Sequence, residues 1–116
     1  MATLTKDRKD RLLEVLVAPP VWVGLMTEDK VEIGARQKVA FGEPQDNDEI
    51  RFVQNERLVR FPAFREDPGG AIVYWFLTDS HEGEGYYMLV RLDEPREARR
   101  GDAPIFEAGD LTIAIP

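Results

Sequence analysis

The stretch Ala71–Thr78, AIVYWFLT, limits what this chain can become more than any other. It is the longest unbroken apolar run, and it is rich in β-branched and aromatic residues. A helix needs about 20 apolar residues to span a hydrocarbon core, whereas eight is an ordinary strand length. Successive strand side chains point to opposite faces. One face carries Ala71, Val73, Trp75 and Leu77, and the other Ile72, Tyr74, Phe76 and Thr78. Both faces are apolar. The strand is therefore expected to sit centrally in the core, or to be covered on its outer side by a partner subunit.

The rest of the chain supplies short strands and turns around it. Thr5–Val17 is predicted to be helical, with Leu12, Leu13, Val15 and Leu16 on one side. Thr3 or Thr5 is the expected cap, and Pro19 and Pro20 stop the helix. This helix is expected either to pack on its own sheet or to act as an arm on a neighbouring subunit. Strands are predicted at Val21–Met26, within Val31–Phe41, and at Ile50–Val53 and Leu58–Phe64, the last two joined as a hairpin through QNER. Gly42–Glu49, Arg65–Gly70 and Asp79–Gly85 are predicted loops. Tyr86–Leu92 is expected to return antiparallel to the central strand. Asp93–Ala103 is expected to be a long charged loop, followed by short strands at Pro104–Phe106 and Leu111–Ile115. About eight short strands and one terminal helix point to an all-β fold. The expected form is a small antiparallel β-sandwich or jelly-roll-like barrel, one domain over 1–116, with 1–20 as its N-terminal helix or arm.

Charge and composition exclude several chemistries. The formal net charge is −7, and an acidic surface repels phosphate backbones, so nucleic acid is not an expected partner. The charged N-terminus reads neither as a signal peptide nor as a membrane anchor. Without cysteine there is no disulfide scaffold, thiolate metal site or cysteine nucleophile. Ser80 and His81 are the only serine and histidine, and as sequence neighbours in extended backbone their side chains diverge. The acids Asp46, Asp48 and Glu49, and Asp79, Glu82 and Glu84, lack the calcium-loop pattern and read as solvated loop residues. No catalytic residue, cofactor or metal is expected.

Taken in order, the segments resemble the short proteins of tailed bacteriophages known as phage tail fibre proteins. The matching stretches are LLEVL in the helix, VWVGLMT, EIGARQKVAFGEP, ERLVRFPAF, AIVYWFLTD, YYMLVRLDEPREARRGD and FEAGDLTIAI. They cover roughly Thr5 to Ile115. The chain departs from that pattern in having fewer glycines, serines and threonines and more charge. The resemblance implies a non-enzymatic virion component assembled in the host cytoplasm. It would bind major capsid or tail proteins, as a tail-fibre part or as a decoration of the capsid shell.

Contacts are the expected function. Arg96, Arg99 and Arg100 form the one dense basic cluster, suited to carboxylates on a neighbouring protein. Trp22, Tyr74 and Phe76 are candidate partner contacts, because strands apolar on both faces leave aromatics without cover in a small sandwich. Self-association through such a face is expected, most simply as a cyclic trimer. The alternative is a β-sandwich module that binds carbohydrate or another host-surface group.

Overall fold

The computed structural model describes residues 4–48 and 50–116. Thr3, one of the two expected caps, and Glu49 lie outside them. The elements run α1 (Lys6–Leu16), β1 (Trp22–Met26), β2 (Glu32–Lys38), β3 (Gln45–Asn47), β4 (Ile50–Gln54), β5 (Val59–Arg60), β6 (Ile72–Thr78), β7 (Met88–Arg96), β8 (Ile105–Phe106) and β9 (Thr112–Ile115). The sheets are antiparallel and open, as in a β-sandwich, and no strand pairing closes a barrel among the described residues. The chain is thus mainly β with one short N-terminal helix, the class its sequence predicts. Its contacts gather into two compact units. One comprises Met1–Pro19, Ala40–Leu58 and Phe106–Pro116, and the other Pro20–Val39 and Val59–Ile105.

The second unit holds a four-stranded sheet in the order β2-β1-β6-β7. Its central strand β6 pairs with β1 (Gly24 opposite Phe76) and with β7 (Phe76 opposite Leu89). Every residue of β6 is buried except Tyr74, which is half-buried. The two apolar faces of AIVYWFLT are therefore covered within a single chain. A turn at Thr27–Lys30 joins β1 to β2; it is closed by the Lys30 N–H donating to the Thr27 carbonyl at 2.9 Å, with Lys30 left-handed at φ 61°. In β2 the register slips at Gly34, whose φ of 74° suits a residue without Cβ.

The first unit holds a three-stranded sheet in the order β3-β4-β9, with α1 against β4 and β9. Thr5 caps the helix, its hydroxyl accepting from the Arg8 N–H at 3.3 Å, and Asp7 lies in the first turn where the helix dipole favours a negative charge. The buried stripe is narrower than the sequence suggested. Leu13 and Lys9 are buried and Leu16 is half-buried, but Leu12 is 42% exposed and Val15 75%. At about 100° per residue, Val15 lies some 200° round from Leu13, so both cannot face one sheet.

Three strand assignments need correction. The expected hairpin through QNER does not form: β4 pairs with β3 and β9, and β5 pairs with β8. The cause is Asn55, fully buried. Its Nδ2 donates to the Arg57 and Glu107 carbonyls at 2.8 and 3.0 Å, and its Oδ1 accepts from the N–H groups of Gly109 and Leu111 at 3.0 and 2.9 Å. The side chain thus ties the end of β4 to the turn before β9. β3 lies in the expected loop Gly42–Glu49 and consists of exposed polar residues held by pairing with β4. β7 runs on to Arg96, past the expected end at Leu92.

Candidate interaction surface

One face of the four-stranded sheet carries Phe76, with Gly24 beside it on β1. A Cβ on Gly24 would overlap the Phe76 ring, so only glycine lets that ring lie flat across the neighbouring strand. Over the ring, 5.2 Å from its centroid, sits the Arg36 guanidinium. Arg36 comes from β2 and is almost wholly buried. It donates from Nε and one terminal nitrogen to the two carboxylate oxygens of Glu32, each at 3.0 Å. It also donates to the carbonyls of Ser80, at 3.1 Å, and Gly83. The loop after β6 is thereby riveted back over the strand it leaves. Tyr86, at the loop's end, packs against Phe76 with ring centroids 5.8 Å apart. This loop and rivet, from the chain's own sequence, occupy the place where a partner subunit was one of two expected covers.

What the loop leaves outward is aromatic and acidic. Tyr86 is 42% and Tyr87 45% exposed, although both belong to the strand expected over Tyr86–Leu92. They precede β7, although the Tyr87 N–H already donates to the Leu77 carbonyl at 3.0 Å. Asp79, Ser80, His81, Glu82 and Glu84 are all exposed. Partial burial, and behind it the Asp79 charge, push the Tyr87 phenol above its ordinary pKa. The Ser80 hydroxyl donates to the Glu82 carbonyl, while the His81 ring lies 5.6 Å from Trp22, so the two side chains diverge. Among the described residues no group of three or more acids or histidines gathers as metal ligands would.

The expected contact residues fare unevenly. Phe76 is fully buried, which takes it off any surface where a partner could reach it. Trp22 is half-buried, with the Lys38 ammonium 5.7 Å from its ring. Tyr74 is half-buried under Arg91; its hydroxyl accepts from that guanidinium at 3.1 Å, and Arg91 also donates to Glu28 at 3.0 Å. The Glu28 carboxylate pushes the Arg91 pKa further up. The arginines of the expected cluster have separate partners within the chain. Arg96 donates to the Ile105 carbonyl at 2.6 Å, and Arg99 to Glu97 at 3.3 Å, while Arg100 is exposed with its backbone N–H on Asp67. An apolar cleft of about 580 Å³ lies elsewhere in this unit, between Gly34 and the segment from Pro62 to Pro68. Sequence reasoning passed over Arg36 because an arginine in EIGARQK gives no periodic sign of burial.

The chain thus covers Phe76 with its own loop and leaves Tyr86 and Tyr87 exposed beside it. Comparison with known families gives it a place. The family model of podophage GP4 fiber I protein gp80 matches residues 11–114. The chain belongs to this fibre family. No curated protein and no solved structure matches it. As a member of the gp80 fibre family it is a tail-fibre-type structural protein of a bacteriophage virion, the kinship its strand-and-turn order suggested. The match to gp80 begins at Arg11, inside α1, and ends at Ala114, so it takes in β1 to β8 whole and all of β9 but Ile115.

Proposed function

We propose that this protein is a non-enzymatic component of the phage tail. It works as one domain, assembled into a homo-oligomer, most simply a trimer, and attached to other tail proteins. The reading rests chiefly on the fibre-family match over residues 11–114. The packing supports it, since the central strand is buried within its own chain while large apolar side chains such as Val15, Tyr86 and Tyr87 stay exposed for contacts. The two units support the single domain: each is drawn from separated stretches of chain, so neither is a contiguous segment that could be cut free. The action is mechanical, with apolar area and polar rims holding the protein at its lattice position.

Decoration of the capsid shell is the rival location, favoured by small size and strong acidity. Disrupting purified particles and separating heads from tails tests the assignment. An antibody to this protein is expected to find it in the tail fraction and to label tails in electron micrographs. Recovery with heads alone would assign it to the shell, and absence from particles would remove the structural role altogether.

A further inference from the structure

Two exposed patches of this chain have complementary chemistry. On α1, one exposed flank carries Arg8, Arg11, Leu12 and Val15. At about 100° per residue these four fall within an arc of about 100°, while Asp7, Asp10 and Glu14 fall outside it. A surface helix ordinarily turns charge outward and apolar groups in. Here an apolar and cationic stripe faces water on a chain whose net charge is −7. The second patch is the exposed pair Tyr86 and Tyr87 with Asp79, Glu82 and Glu84 in the same loop; Asp79–Tyr87 contains no lysine or arginine.

We propose that the outward stripe of α1 docks onto the Tyr86–Tyr87 patch of a second copy of this chain. Arginine forks match carboxylates and stack on tyrosine rings, and Leu12 and Val15 supply apolar cover for those rings. Charge selects the occupant. Copies that each carry −7 repel one another on average, so they associate where the local signs are opposite, and this chain supplies both signs. Because the two patches differ, the contact is head-to-tail. Such contacts close into a ring when the rotation allows it, which is how a trimer would arise. The inference rests on the homo-oligomer reading above and names its interface.

Sedimentation velocity on the full chain tests it, across protein concentrations and at ionic strengths on either side of physiological. The wild type is expected to associate, less at high salt. The double variants Arg8→Glu/Arg11→Glu and Glu82→Lys/Glu84→Lys are each expected to raise the dissociation constant at least about ten-fold. Combining all four substitutions is expected to restore association, since the signs are then exchanged. Circular dichroism of each variant confirms that the fold is kept. A wild type that stays monomeric throughout overturns this interface and the homo-oligomer reading together. An oligomer indifferent to either reversal, or one that the four-fold variant does not restore, overturns the interface alone. Arginine-dependent pelleting with phosphatidylglycerol vesicles by a monomeric protein would assign the stripe to a lipid surface instead.

Discussion

At the scale of single residues, two buried polar side chains do what hydrophobic pattern cannot. Asn55 has all its amide hydrogen bonds met by backbone, which lets it sit fully inside. Its tetrapeptide QNER looks like a solvated turn because asparagine favours turns, and that composition says nothing about burial. Replacing it with alanine would leave the buried Leu111 N–H unpaired and take a partner from the part-buried carbonyls of Arg57 and Glu107. Each buried group left unpaired costs about 1–3 kcal/mol. Asn55→Ala is therefore expected to lose about 2–4 kcal/mol in urea unfolding with an unchanged m-value. A loss below about 1 kcal/mol would mean that water takes over the side chain's partners. Arg36 is the second case. Its fork was illegible because burial of an arginine depends on carbonyls 44 and 47 residues away, at Ser80 and Gly83.

At the scale of elements, the strands rich in apolar residues, whether continuous or alternating, were legible and the polar ones were not. β1, β4, β6 and β9 lie close to where their apolar residues put them. β3, with the sequence QDN, has no pattern to read and is held by its ladder with β4 and by the ion pair of Asp46 with Arg51. β7 outruns its apolar part because it ends the sheet, and an edge strand accepts Pro95 and solvated Asp93 and Glu94 where a central strand would not. The helix was placed correctly, but its docking rests on an ion pair as well as on Leu13. Asp10 accepts from Arg51 on β4 through both carboxylate oxygens, at 2.7 and 3.0 Å, and Arg51 also lies 3.5 Å from Asp46. That pairing holds the Asp10 carboxyl below the usual range. A folded-state pKa below the unfolded value of about 3.9 gives stability that is present above that pH and lost as pH falls through the folded value. Asp10→Asn is accordingly expected to unfold at lower urea than wild type at neutral pH, with the gap closing in acid once the wild-type carboxyl is protonated. A gap that stays constant from neutral to acid pH would show the pair to be inert. Tyr86 and Tyr87 are the counterpart on the surface side: the aromatic content of the expected strand Tyr86–Leu92 gives no sign that its first two residues precede β7 and stay exposed.

At the scale of the whole molecule, connectivity matters more than any one contact. The chain passes from one unit to the other after Pro19, Val39, Leu58 and Ile105, so each unit is closed by segments that the other separates in sequence. If either unit opens, the other loses the restraint on its chain ends, and loop-closure entropy rises for both. That argues for joint unfolding, and the distribution of tryptophan allows a direct check. Trp22 and Trp75 are the only tryptophans, and both belong to the unit of the four-stranded sheet. Leu13, fully buried, belongs to the other. Leu13→Ala removes a core side chain at a cost of about 2–5 kcal/mol. With coupled units the tryptophan fluorescence midpoint in urea is expected to fall together with the far-ultraviolet circular dichroism midpoint, although the substitution lies in the unit without a reporter. If fluorescence holds its wild-type midpoint while circular dichroism splits into two steps, the units fold independently, and the single domain proposed for the fibre part gives way to two.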